Sequence, residues 1–454
     1  MTNLTAKNIS RRSMLQIIGV GTASALLASC APNPAETTEP TEAEAPKMAT
    51  GPLTVLLCCG TEETHQLQEK FNKYFDSTYG GMKSDLQLTP AGQNYFEKLQ
   101  TLFAAGTPPD VFDMWEGYVA PYAADGALLE MNSFIDADPE WKFSDFQPAA
   151  IAAGSYQDKL YAFIRNFYPG PSMFFYNKDL FDKAGQAYPT FDWDWNKMRE
   201  AALALTVDTT GGSKINQWGL AFETWFVVWL HLIWSNGGDL LNADETKSAI
   251  AGSESVKAIQ YFADLINKDK CAIPSAEASA MEGASNAFRT NAIGMFMGYA
   301  WNIADMKAAK EQGLNWGCVL PPKSFAGNRS FYMHLECWAI AKNTKVPAAC
   351  WQYIRDFTTT QMVEWTKNYP GIPMLKKDIG LFTTEENKSY GWDKLPDIIA
   401  DPKNIRIPGA GAKFDKISQL VQAELDNVFI GNVTAQAAMD AVTPSVDEEL
   451  ARKG

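Results

Sequence analysis

Near the middle of this 454-residue chain, Arg289-Thr290-Asn291 precedes an apolar run from Ala292 to Met297, followed by Gly298, Tyr299, Ala300, Trp301 and Asn302. The pattern reads as a helix ending at Ala287-Phe288, a turn, a strand, and an aromatic pair projecting from the strand's end. Aromatic planes at the carboxyl end of a strand stand where open α/β folds bind ligands, and they offer stacking against an apolar face. A second stretch of this kind is Trp115-Glu116-Gly117-Tyr118, a loop in which aromatics and carboxylates lie together after Asp113. Carboxylates so placed either accept hydrogen bonds from a solute or, were Glu116 to face Glu223 or Asp113 across a scissile bond, act as the two carboxylates of glycoside hydrolysis. The chain carries no Gly-x-Ser-x-Gly elbow, phosphate loop or catalytic-triad arrangement that would support other chemistry.

Positioning these groups takes a sheet. Leu53 to Cys59 is a continuous apolar run ending at Gly60, the signature of a strand covered on both faces. A helix from Glu62 to Phe75 follows, then a strand from Leu86 to Pro90. Tyr95, Phe96, Leu99, Leu102 and Phe103 next form one face of a helix that stops at Gly106. Asp110 to Met114 is a third strand, giving a βαβαβ unit on a parallel sheet. Farther on, Trp218 to Phe222 and Ile293 to Met297 read as strands, Val256, Ile259, Ala263 and Ile266 as a helical stripe, and Phe414–Val428 and Thr434–Val442 as helices. Trp229 and Trp234 sit in an apolar helix and are expected in the core.

The amino terminus is an address. Ser10-Arg11-Arg12-Ser13 opens a twin-arginine pattern, an apolar run extends from Leu15 to Leu27, and Leu27-Ala28-Ser29-Cys30 resembles a lipoprotein cleavage box with Cys30 as the acylated residue. Residues 30–51, with prolines among Thr, Glu and Ala, have the composition of a solvated tether. The expectation is an exported body held on a membrane by lipid. A net charge of -14 with no basic stripe excludes an electrostatic nucleic-acid partner. The other six cysteines show no CxxC pair, and three histidines give no zinc spacing, so no metal or cofactor is expected. Cys58 and Cys59 read as buried thiols; a disulfide among Cys271, Cys318, Cys337 and Cys350 stays open.

The run from Tyr95 to Val111 resembles the segment before the third strand of extracellular solute-binding proteins of the maltose-binding-protein-like family, the receptors of ATP-binding-cassette sugar importers. Further similarities come in the family's order: Tyr176 to Phe181, Trp193 to Trp195, Ser235-Asn236-Gly237-Gly238, Ala287 to Trp301, Leu320-Pro321-Pro322, Trp338 to Lys342 and Gly371-Ile372-Pro373. The resemblance implies a two-lobed α/β fold, each lobe a mostly parallel sheet flanked by helices, with a ligand cleft between. Residues 51–162 plus 320–362 would form lobe one, and residues 163–319 plus 363–454 lobe two.

It also implies a function and a site. The function is a monomeric receptor that captures a mono- or oligosaccharide and delivers it to transmembrane permease subunits. Trp301 matches the family's stacking tryptophan, with Tyr299 and Asn302 beside it; Glu223 and Trp225 match an acidic and an aromatic cleft position; Asp113, Trp115 and Glu116 match the loop after the third strand. Arg165 and Asn166 lie at the first crossing, in a stretch to Pro171 richer in aromatics and Pro than the family's short connection, and Tyr332, His334 and Phe414 are weaker candidates. The alternatives are the same fold holding glycerol phosphate or another non-sugar, which calls for more Arg or Lys than Arg165 alone, and an exported carbohydrate-active enzyme.

Overall fold

The computed structural model describes residues 51–452 apart from 59–61, 81, 90–94, 172, 209–214, 369–370, 383 and 402. The twin-arginine run, Cys30, the tether and Cys59 lie outside the described residues.

Among the described residues, twelve strands fall into two main sheets and a short hairpin. In chain order they are β1 (Gly51–Leu57), β2 (Met82–Leu88), β3 (Val111–Trp115), the hairpin β4 and β5 (Ser155–Tyr156, Lys159–Leu160), β6 (Ala162–Gly170), β7 (Met173–Asn177), β8 (Trp218–Phe222), β9 (Ile293–Gly298), β10 (Trp316–Val319), β11 (Phe331–Ile340) and β12 (Ile405–Arg406). The first sheet runs β12-β11-β3-β1-β2, with β6 on the other edge of β11. Within it β1 is parallel to β2 and β3, as the βαβαβ reading requires. Leu53, Val55, Leu56 and Leu57 are all buried, so helices cover both faces of β1.

The second sheet departs from expectation. Its order is β10-β7-β9-β8, and only the β8–β9 pair is parallel; β7 runs antiparallel to both β9 and β10. The cause is connectivity: the chain enters this lobe along β7 directly from β6 and leaves along β10, so these two strands do not belong to helix-linked parallel units. Behind the sheet the helix Trp195–Leu205 approaches β8 closely at Gly219, where a Cβ would stand 1.9 Å from the Ala202 carbonyl oxygen. Trp229 and Trp234 are buried in the helix Phe226–Ser235.

β6 and β11 pair along nearly their whole length and carry the chain between the lobes. The segment through Leu375 stays with the first sheet: the Ile372 N–H donates to Phe167 and the Gln147 N–H to Met374. Farther along, Tyr390 stacks on Trp316 of the second sheet, and β12 then pairs with Phe331 and Tyr332 of β11 in the first. The helices Phe414–Phe429 and Ala435–Ala451 complete that lobe against Ser253–Asn267, through Asn267 to the Val428 carbonyl and Gln260 to the Ala435 N–H.

Cys58 is disulfide-bonded instead of a free thiol. It stands just past Leu57, where β1 ends and the backbone is released from its ladder. Cys271, Cys318, Cys337 and Cys350 are free and buried.

Candidate functional site

On the first lobe, the expected loop at Trp115–Tyr118 is absent: Trp115 is the extended residue capping a helix that begins at once with Glu116 and runs to Ala124. An acidic side chain in a first helical turn meets the positive end of the helix dipole. Glu116 is also fixed from the side, accepting from the Tyr332 hydroxyl and from the Leu335 N–H at 2.9 Å, with His334 Nδ1 3.7 Å away. The Trp115 ring stands edge-on to His334, centroids 5.4 Å apart. Its indole N–H and His334 Nδ1 are both buried without a hydrogen-bond partner.

Asp113 and Arg165 lie deeper. The β6–β11 register slips between Glu336 and Cys337, and Arg165 is the bulged residue, since Ile164 and Asn166 are paired and it is not. Its guanidinium bonds Asp113 and Glu336 at 2.8 Å each and sits between the rings of Trp338 and Trp365. Burial pushes the Asp113 carboxyl up to about 7, with Arg165 opposing and Glu336 adding to the rise. Asn166 donates to the Tyr168 hydroxyl and accepts from the Phe167 N–H. Asp113 and Arg165 thus bond each other, and Asn166 bonds Tyr168 and the Phe167 N–H.

On the second lobe, Tyr299 does not project; it is 2 % exposed. Its ring lies flat on that of Trp301, centroids 4.2 Å apart and planes 9° apart. The Tyr299 hydroxyl donates to Glu223 at 3.0 Å and accepts from the Trp225 indole N–H. Burial raises the Glu223 pKa, and the hydrogen bonds from Tyr299 and Trp225 partly offset it. Asn302 closes the turn by accepting from the Tyr299 N–H at 2.9 Å.

The lobes meet at these groups. Half-buried Trp301 stands edge-on to Tyr168 at 5.5 Å and His334 at 5.9 Å. Beside this contact Trp115, Glu116, Tyr118, Phe226, Tyr332 and Phe414 line a cavity of about 20 Å³. The Tyr118 hydroxyl crosses it to Asp415 at 3.1 Å. Binding sites for small molecules span ~300–1,000 Å³, so the walls are in contact and a solute enters when the lobes part. A larger cavity, about 370 Å³, opens between Trp141–Phe146 and Leu375–Lys377, away from these groups.

Sequence reasoning passed over Tyr118, Tyr168, Phe226 and Asp415. Tyr118 and Tyr168 lay inside stretches already noted as aromatic, and Phe226 adjoins Trp225. Asp415 carried no signal, because only folding brings the start of the Phe414–Phe429 helix to the first lobe.

Two α/β lobes sharing long crossing strands, with facing aromatic walls between them, define a two-lobed solute-binding protein. The chain belongs to the bacterial extracellular solute-binding protein family, whose model matches residues 60–363. It is thus of an exported family of binding proteins. A binding protein of Brucella abortus (strain 2308) is 22% identical over 390 residues, covering 84% of this chain and 89% of that one. Among solved structures, an ATP-binding-cassette substrate-binding protein of Listeria monocytogenes in complex with cycloalternan superposes with a TM-score of 0.78 at 21% identity, covering 88% of this chain and 99% of that chain. A solute-binding protein of Thermotoga lettingae bound with alpha-D-tagatose gives 0.74 at 19% identity, covering 88% and 99%.

Proposed function

We propose that the protein is a lipid-anchored receptor that captures a carbohydrate by closing its lobes and delivers it to an ATP-binding-cassette importer. The observation that carries the reading is the Trp301 platform: one face rests on buried Tyr299 while the ring stands half-buried in the cleft, opposite groups of the other lobe. A sugar offers apolar C–H faces to such a ring and hydroxyls to the groups at its edge. Trp225 and Trp115 extend the aromatic surface. Glu223, the Trp115 indole N–H and His334 Nδ1 supply acceptor and donor positions on both walls. Tyr299 and Asn302 hold the platform; Asp113, Arg165 and Asn166 hold the wall that carries Trp115 and Tyr168. The bound saccharides of the Listeria and Thermotoga proteins fit this reading.

Contact from both walls arises only on closure, so a solute stabilises the closed form by its differential affinity for it. Lipid on Cys30 and the tether of residues 31–51 would keep the monomeric receptor beside its permease and raise its effective concentration there. Catalysis by the carboxylates weighed for it is disfavoured because Asp113 is held by Arg165, and Glu116 by Tyr332 and the Leu335 N–H. Equilibrium titration of intrinsic tryptophan fluorescence with mono- and oligosaccharides tests the proposal: saturable quenching or enhancement supports it, and a response confined to glycerol phosphates or peptides overturns the substrate class.

A further inference from the structure

One carboxylate on the floor beneath Trp301 keeps an oxygen open. Resting on the reading of the cleft as a saccharide site, we propose that Glu336 is a solute-binding residue that selects the sugar, accepting hydroxyl hydrogen bonds at the edge of the ring stacked on Trp301.

The register of β11 sets this floor. Tyr332, His334 and Glu336 alternate onto one face of the strand. Tyr168 of β6 pairs directly with His334, and Asn166 of β6 and Trp115 of β3 both pair with Glu336. Residues directly opposite share a face, so Trp115, Tyr168, His334 and Glu336 form one patch. Trp301 of the other lobe stands on it, against Tyr168 and His334. At the Tyr332 end the lobes touch, through the Phe226 ring on Tyr332 and the Tyr118 hydroxyl on Asp415. Glu336 lies ~7 Å beyond His334 in the opposite direction along the strand. A sugar ring on Trp301 is shut off on the Tyr332 side and turns its other edge to Glu336.

Glu336 is more than a counterion. Arg165 bonds Asp113 Oδ2 and Glu336 Oε2 through the same nitrogen, Nη2, at 2.8 Å each. The Asp113 side chain is fully buried, whereas that of Glu336 is 16% exposed, so the triad reaches the cleft through Glu336. Glu336 Oε1 has no hydrogen-bond partner among the described residues. A carboxylate with one oxygen fixed by a guanidinium and the other open is preset as an acceptor, and charge-assisted bonds are the stronger kind. Two carboxylates on one guanidinium also leave an excess negative charge, which suits hydroxyl donors and opposes an anionic solute such as glycerol phosphate. On the same patch the Trp115 indole N–H and His334 Nδ1 are buried without a partner, an independent sign that polar groups of a solute complete it.

Glu336→Gln gives the test a defined sign. Its amide oxygen must face Arg165, which only donates, so the amide nitrogen takes the cleft side and a donor replaces the acceptor. Glucose, galactose, mannose and maltose are titrated calorimetrically into the intact protein, and the tightest of them is compared with its monodeoxy forms. The parent should bind one monodeoxy form about tenfold or more weakly than the full sugar. In Glu336→Gln that penalty should fall below about threefold while the penalties of the other deoxy forms persist. A uniform loss across all forms, or an unchanged pattern of penalties, overturns the assignment and leaves Glu336 a support for Arg165. Should Glu336→Gln not fold, Glu336→Ala, in which Arg165 keeps Asp113, carries the same comparison. No binding of any of these sugars by the parent overturns the assignment too, and the fluorescence panel decides separately whether the receptor reading survives.

Discussion

Tyr299 and Trp301 lie face to face, 4.2 Å between ring centroids, and the hydroxyl of the buried partner is clamped between Glu223 and Trp225. The exposed ring therefore owes its orientation to a polar network beneath it. Tyr299→Phe keeps the stack but removes both hydroxyl bonds and leaves Glu223 with one donor fewer. Affinity for the solute should fall about 5- to 20-fold, equivalent to ~1–2 kcal/mol, with little change in unfolding midpoint, measured by titration and thermal denaturation of the same variant.

The Arg165 site predicts a different signature, loss of stability. Arg165→Met would leave buried Asp113 beside half-buried Glu336 with no cation, and breaking a buried pair costs ~3–5 kcal/mol. Denaturant unfolding should show this loss, and the added substitution Asp113→Asn should recover part of it. An Arg165→Met protein as stable as the parent would show that the triad is not a structural support.

Much of this arrangement was legible in the sequence, and the failures share a cause. The strand that ends at Gly298 and the helical faces of the first lobe follow from local periodicity, so Trp301 was placed from its own neighbours. Asp113 was expected at the ligand because it matches the loop after the third strand in the resembling family, and Arg165 because it lies at the first crossing. Their burial depends on Glu336, Trp338 and Trp365, which come from far along the chain and from a bulge that no local pattern encodes. Asp415 was missed for the same reason: its place is set by how the final helices pack. The mixed order of the second sheet follows from the crossings, which sequence periodicity does not show.

Acid should destabilise the protein through His231. Its Nδ1 bonds the Ser330 carbonyl, tying the helix Phe226–Ser235 to the start of β11, and burial lowers its pKa to about 4 from 6.5. The folded state holds the neutral ring while the unfolded chain protonates near 6.5, so stability is fully present above pH 6.5 and is lost as pH falls towards 4. His231→Asn, which keeps a donor at the Nδ1 position, should flatten that decline in unfolding free energy measured from pH 7 to 4. An unchanged slope would assign the acid sensitivity to another group.

Close approach of backbone elements at Gly219 gives a packing prediction. Gly219→Ala would set a methyl 1.9 Å from the Ala202 carbonyl oxygen, forcing β8 away from the helix Trp195–Leu205. Overpacking of this kind costs ~1–3 kcal/mol, readable as a lowered denaturant midpoint, and Glu223 just past the strand should lose its register, so solute affinity falls as well.

A saccharide bound on Trp301 between the lobes is the core of the proposed function. Its most direct test is thermal unfolding of the protein and of Trp301→Ala against mono- and oligosaccharides, because a ligand that binds only the native state raises the midpoint by mass action. The midpoint should rise with a subset of saccharides in the parent and with none in Trp301→Ala, whose own midpoint stays close to the parent's. An equal rise in both proteins, or a rise only with phosphorylated or peptidic solutes, would contradict it.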